Sequence, residues 1–286
     1  MSVQITTAFV EQYKANVLHL AQQKGSRLRD AVRNETVTGK SHFFERIGST
    51  SAQKRTSRHA DTPRMDTPHS RRKVSMDDYD WADLIDNEDK VRLLISPQSE
   101  YAMAGAWAMG RAMDDAIIAA ATGTAYSGVA GGTSVSLPSG QKVAHASGGL
   151  TVAKLISAKE ILDANDVDPD EPRFLVCSAG QIADLLAITQ ITSADYNSVK
   201  ALASGQIDTF LGFKFIRSQR LGTDSTPSRQ CLAFTKSAIG LAIGSDISTK
   251  ISERADKNYA TQVFLSMTIG ATRIEEEKMV EIAANE

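Results

Sequence analysis

Apolar positions recur at helical spacing in several stretches and alternate in others, so the chain reads as an α+β mixture without strict alternation. Residues 3–24 predict an amphipathic helix. Phe9, Tyr13, Val17 and Leu20 fall on one stripe by steps of four, four and three, and Gly25 follows as a stop. That stripe can pack on the chain's own core or on a neighbouring copy. Ser96-Pro97 marks a second helix start, Ser as N-cap and Pro at the first helical position. The helix expected there covers residues 98 to about 122 and is closed by Gly123. About 25 residues at 1.5 Å each give a rod of roughly 37 Å. Ala102, Ala104, Gly105, Ala106, Ala108, Gly110 and Ala112 make part of it narrow, so other elements can approach closely. A shorter helix is predicted over residues 151–165, with Val152, Leu155, Ile156, Ile161 and Leu162 inward. Another runs from the cap Ser178 to Leu186.

Strand signals fill much of the rest. Residues 31–52 and 71–84 read as the two arms of a long ribbon. The first arm carries Val32, Val37, Phe43 and Ile47 around a Thr38-Gly39 turn signal. The second carries Val74, Met76, Tyr79 and Trp81. Between the arms, residues 53–70 have almost no aliphatic side chain and two turns, Asp61-Thr62-Pro63 and Asp66-Thr67-Pro68. A connection of that length without core-forming residues is usually functional or disordered. Residues 123–149, rich in Gly, Ser and Ala, read as loop with a short hairpin around 135–143. Phe174-Leu175-Val176-Cys177 is a short buried strand, and residues 189–204 are a polar stretch. Leu211 to Ile216 form a strand with a Gly turn. Residues 231–234, 238–243, 247–255, 260–269 and 279–283 supply the remaining strands.

Charge sharpens the picture around the ribbon. The chain is close to neutral overall, with a formal net charge of −2, which argues against a protein that coats nucleic acid wholesale. Locally the charges are segregated. Lys54, Arg55, Arg58, Arg64, Arg71, Arg72 and Lys73 face only Asp61 and Asp66. The next segment holds Asp77, Asp78, Asp80, Asp83, Asp86, Glu88 and Asp89 against Lys90 and Arg92. A basic protrusion beside an acidic flank suits head-to-tail association of copies. A solvated loop with unspecific charges gives the same pattern.

Candidate chemistry is sparse. No GxSxG, P-loop, HExxH or strand-following GxGxxG is present, and the five histidines have no metal-ligand spacing. No cofactor and no metal site are expected, and the sequence points away from an enzyme. Asp114 and Asp115 do not converge as an acid pair, and an exposed edge is the expected place for them. Cys177 and Cys231 sit in apolar runs and read as buried, reduced thiols of a protein made in a reducing cytoplasm. Residues 1–10 have neither a basic nor an apolar segment of a secretory signal. The most apolar stretch, residues 101–121, is interrupted by Arg111, Asp114 and Asp115, so no membrane span is expected.

In order along the chain these stretches resemble the major capsid proteins of tailed bacteriophages, which share the Hong Kong phage-type fold. The amphipathic N-terminus and charged ribbon resemble that family's N-terminal arm and extended loop. Residues 96–123 resemble its spine helix, and residues 174–186 the start of its axial domain. Gly205-Gln206-Ile207 followed by Leu211-Gly212-Phe213-Lys214-Phe215-Ile216 is similar to its Gly-turn-strand signature. Lys40-Ser41, Asp66-Thr67-Pro68-His69-Ser70-Arg71-Arg72 and Gly110-Arg111-Ala112-Met113-Asp114-Asp115 resemble a recurrent short capsid type.

The resemblance implies an N-terminal arm (1–30), an extended loop (31–85), a peripheral domain (86–170, with 247–286 returning to it) and an axial domain (171–246). It implies a virion protein assembled in the bacterial host cytoplasm, forming hexamers and pentamers of an icosahedral head around double-stranded DNA. Portal protein and scaffolding or decoration proteins are its implied partners, scaffolding coming from a separate protein. Lys54 to Lys73 would contact neighbouring subunits, with Asp77, Asp78, Asp80 and Asp83 as acidic counterparts and Phe9, Tyr13, Val17 and Leu20 packing the arm. Two alternatives remain at this point: the shell protein of a cellular nanocompartment, and a DNA-binding protein using residues 54–73, although that loop lacks aromatics for base stacking.

Overall fold

The computed structural model describes residues 21–59, 61–62, 64–86, 97–145, 148–188, 209–224 and 228–286. Its centre is α1 (Pro97–Thr122), a 26-residue helix about 39 Å long that starts at the expected proline. Against it lies a four-stranded sheet in the order β1-β12-β13-β4, formed by β1 (Arg33–Thr36), β12 (Ile239–Arg254), β13 (Ala260–Arg273) and β4 (Asp77–Ile85). A second, six-stranded sheet has the order β7-β14-β11-β8-β10-β9. It comprises β7 (Lys142–Val143), β14 (Met279–Asn285), β11 (Ser228–Thr235), β8 (Arg173–Cys177), β10 (Phe213–Arg217) and β9 (Thr209–Phe210). A third sheet holds β2 (Ser41–Ile47), β3 (His69–Ser75), β5 (Ala125–Ser127) and β6 (Thr133–Val135).

The small residues of α1 are used on two sides. A Cβ on Gly105 would lie 2.7 Å from both Leu265 Cδ1 and the Trp81 ring, so this glycine lets the helix settle onto β13 and β4. A Cβ on Gly110 would lie 2.5 Å from the backbone of Gly25, so here an extended segment crosses the helix. One turn later Asp114, fully buried, receives that segment. Its carboxylate accepts from Ser26 Oγ at 2.5 Å and from the backbone N–H groups of Arg27 and Leu28 at 3.1 Å, and also from Gln23 Nε2. Burying a carboxylate is tolerable only with such donors around it. The sequence placed Asp114 at an exposed edge. The structure corrects this, because the partners come from residues 23–28, roughly ninety positions away. Asp115, next to it, is ion-paired with Arg220 near the surface.

The six-stranded sheet is covered on both faces. Phe174, Val176, Leu232, Phe234 and Met279 join the cluster around Met113, Ile117, Val263 and Leu265. Leu175, Cys177, Cys231, Ala233, Val280 and Ile282 face Leu155, Leu162, Ile182 and Leu185. These last four belong to α2 (Val152–Ala164) and α3 (Ala179–Ala187). Burial on both faces explains why β8 reads as an unbroken apolar run and not as an alternation. Both short helices start as expected. The Thr151 side chain accepts from Lys154 N, and Ser178 forms a capping box with Gln181.

Several expectations are corrected. Residues 21–24 are not helical, and residues 1–20, with Phe9, Tyr13, Val17 and Leu20, lie outside the described residues, as do the cap Ser96 and the polar stretch 189–204. The ribbon is shorter than the sequence implied, because β1 pairs in parallel with β12 and β4 pairs with β13. The small hairpin is β5–β6, between 125 and 135, and not around 135–143. Ile156 is 52% exposed, and the aliphatic stem of Lys154 is buried in its place, its ammonium donating to the carbonyls of His145, Gly148 and Ala283. Strand β14 pairs within the six-stranded sheet and α2 packs on it, while Ile239, Leu241 and Ile243 pack with α1. Among the described residues no helix is long and apolar enough to cross a membrane.

Two outcomes follow. Asp114→Ala removes the acceptor shared by four donors, so the unassembled subunit should lose about 3 kcal/mol or more in urea unfolding. Asp115→Ala, which breaks a half-exposed pair, should cost under about 1 kcal/mol. Burial pushes the Cys177 thiol up to about 12 and that of Cys231 upward as well. At pH 8 an alkylating reagent should therefore leave both unlabelled in the folded chain and label both after denaturation.

Candidate assembly surface

The charged loop singled out in the sequence is carried by the ribbon of β2 and β3. Seven residue pairs run from Ser41↔Ser75 to Ile47↔His69, and Gly48 N donates to Pro68 O at 2.8 Å just beyond. On its other edge β3 pairs with β5 through Arg72↔Ser127 and Lys73↔Tyr126, which broadens the base to four strands. Phe44 and Val74 turn inward onto Ala242 and Ile274. Beyond the last pair the chain opens into the loop whose charge the sequence singled out, and Ile47 at its foot is 68% exposed.

A single carboxylate fixes the base. Glu276, 5% exposed, lies in the turn between β13 and β14. Its Oε1 accepts from Arg72 Nη2 at 2.6 Å and lies 3.9 Å from Arg273 Nε, while its Oε2 is 3.4 Å from Arg46 Nη1. Arg46 sits on β2, Arg72 on β3 and Arg273 at the end of β13, so the three cations tie both ribbon strands to the core. Arg46 also donates to Ile274 O at 2.7 Å and Ser70 Oγ at 3.0 Å. Arg273, fully buried, donates to the carbonyls of Ala121 and Gly123 at 2.8 Å and Val135 at 2.9 Å. It thereby caps the negative end of α1, whose own last turn has no basic residue. Desolvation lowers the Arg273 pKa and Glu276 opposes that shift.

The residues singled out from the sequence divide into three groups. Lys54, Arg55, Arg58 and Arg64 are exposed on the loop. Arg71 is partly exposed, 3.1 Å from Glu45 across the ribbon and stacked over Phe43. Lys73 is partly buried on β3. Arg72 is the correction: at 4% exposure and held by Glu276, it is a structural cation of its own chain and cannot reach a neighbour. On the acidic side Asp77, Asp78 and Asp80 are exposed and Asp83 half-buried, all on β4. Thr268 Oγ1 donates to Asp78 at 2.6 Å.

Sequence reasoning missed Glu276, Arg46 and Arg273. Glu276 lies in the run Glu275-Glu276-Glu277-Lys278, which looks like a solvated turn. It also missed a second ribbon, the outer halves of β12 and β13, paired from Ser248↔Ser266 to Arg254↔Ala260. Its turn holds Asn258 and Tyr259, both left-handed, with Tyr259 61% exposed. Among the described residues no three of His, Cys, Asp and Glu are grouped to hold a metal ion.

Comparison with known proteins bears on the whole chain. The family model described as phage capsid protein matches residues 5–286. The capsid of the cyanophage P-SCSP1u superimposes with a TM-score of 0.74 at 20% identity, covering 100% of this chain and 96% of that one. A structure from Mycobacterium phage Che8 gives 0.68 at 17% identity, with 95% and 96% covered. The capsid of a native GTA particle gives 0.69 at 12% identity, with 100% and 98% covered. These likenesses show the fold, a tailed-phage capsid fold of the α+β class. No match was found among curated proteins.

The anchor makes a quantitative claim. Glu276→Gln keeps the shape but removes the carboxylate that three guanidinium groups share, so it should cost about 3–5 kcal/mol in urea unfolding of the unassembled subunit. Arg71→Ala, at a partly exposed pair, should stay within about 1 kcal/mol of the parent.

Proposed function

The chain belongs to the phage capsid protein family and is a major capsid protein, and we propose that its copies form hexamers and pentamers of an icosahedral head enclosing double-stranded DNA. The observation that carries this is a ribbon whose base is locked to the core by Glu276 while Lys54, Arg55, Arg58 and Arg64 beyond its end are exposed and form no ion pair among the described residues. A closed shell needs such a division. Rigid bodies set the geometry, and protrusions make weak contacts that sum over a symmetric array.

In this reading α1 and the four-stranded sheet form the peripheral unit, and the six-stranded sheet with α2 and α3 the axial unit. The extended loop reaches an adjacent copy. There Lys54, Arg55, Arg58 and Arg64, with Arg71 and Lys73 nearer the base, face Asp77, Asp78, Asp80 and Asp83. Packaged DNA is contacted without sequence preference, since phosphate neutralisation carries no base information. A portal protein occupies one vertex, and assembly takes place in the host cytoplasm.

Negative-stain electron microscopy with light scattering tests the assembly reading. Chain co-expressed with its neighbouring head genes should yield closed shells. Before any stabilising step, salt near 1 M, where the screening length is about 3 Å, should loosen them into smaller rings. A monomer that persists with those genes present would contradict the reading.

A further inference from the structure

We propose that residues 49–56 of one copy add as a fifth strand to the outer edge of β4 in the next copy. The inference rests on the shell reading above and specifies how the loop and the acidic segment meet. Nine consecutive β4 residues pair with β13, from Asp77↔Ile269 to Ile85↔Thr261, without a break. On the other side of β4 no strand lies among the described residues. Such an edge presents a row of backbone donors and acceptors to any strand that approaches. Here it is guarded by charge: Asp77, Asp78 and Asp80 are exposed and Asp83 is partly so. Two such edges repel each other. A basic strand is attracted.

The same chain carries that strand. Residues 49–56, Ser-Thr-Ser-Ala-Gln-Lys-Arg-Thr, contain neither Pro nor Gly, are exposed throughout, and make no backbone–backbone hydrogen bond among the described residues. Their length matches the edge to within a residue, and Lys54 and Arg55 supply the opposite charge. Within one chain the two segments do not pair among the described residues. From His69, where the loop rejoins the ribbon, to Asp77, where the edge begins, is about 26 Å of strand. The partner is therefore a second copy. The outer half of β12 is also open beyond its pairing of Gly240–Ile243 with β1, but Asp246, Lys250, Glu253 and Arg254 balance there and offer no preference for a basic strand.

Proline scanning separates main-chain pairing from charge attraction. Alternate N–H groups of an extended strand point to opposite sides, and proline is tolerated only where the N–H faces away from the ladder. Ser51→Pro and Ala52→Pro are made singly. Neither position is buried or hydrogen-bonded through its backbone, so both subunits should unfold at the parent's urea midpoint. Strand addition predicts that one variant loses its shells and the other keeps them. If both assemble, or both fail, strand addition is wrong. The double reversal K54E/R55E, combined with D78K/D80K, isolates the charge contact. Rescue alongside two equal proline variants would keep the bridging and discard the strand. Loss of shells by the parent chain itself would remove the shell reading beneath both.

Discussion

One buried carboxylate, Glu276, fixes both strands of the charged ribbon to the core. It binds Arg72 closely and lies near Arg46 and Arg273, cations from the two ribbon strands and from the end of β13. Arg273 in turn holds the last carbonyls of α1 and reaches Val135 of the small hairpin. Four elements distant in sequence therefore share one electrostatic junction in a low-dielectric setting. Breaking such a junction is costly because each member is left charged and without water. The ribbon inherits its direction from the spine helix and does not wave as an independent hairpin, which alone would be marginal in water.

The other end of the logic is the segment that crosses α1. Gly110 lets its backbone approach and Asp114 binds its amide groups, so the chain that leads into β1 is fixed before it pairs with β12. Arg29 then reaches Asp246 with two hydrogen bonds on β12. The helix is thus clasped on one side by this segment and on the other by Trp81 and Leu265 at Gly105. Together the two clasps and the junction produce a body stiff enough to carry an exposed loop at a defined place, which is what a shell subunit requires.

Much of this was legible in the chain. The start of α1, the course of α2, the Ser178 cap of α3, the buried strand 174–177 and the closing strands follow from spacing, cap residues and apolar runs, which are local signals. What was not legible depends on partners far away. Period-two patterning identified β1 and β4 as extended but could not say that they leave the ribbon to pair with β12 and β13. Asp114 and Glu276 looked like solvent-facing acids because nothing in their neighbourhood reveals the amides and guanidinium groups that meet them after folding. The charged loop was read as a candidate contact from composition alone. Only burial separated Arg72, a structural cation, from its exposed neighbours.

The resulting account joins an α+β core, an anchored ribbon and two segments of opposite charge that do not pair with each other among the described residues. Its central claim is that the basic loop of each copy engages the acidic β4 of the next. A side-chain-resolution reconstruction of assembled shells tests this most directly. The account predicts continuous density for residues 49–56 along Asp77–Ile85 of an adjacent copy, with Lys54 and Arg55 near its aspartates. Density that places the loop against its own subunit, or against packaged DNA with β4 covered by something else, would contradict it.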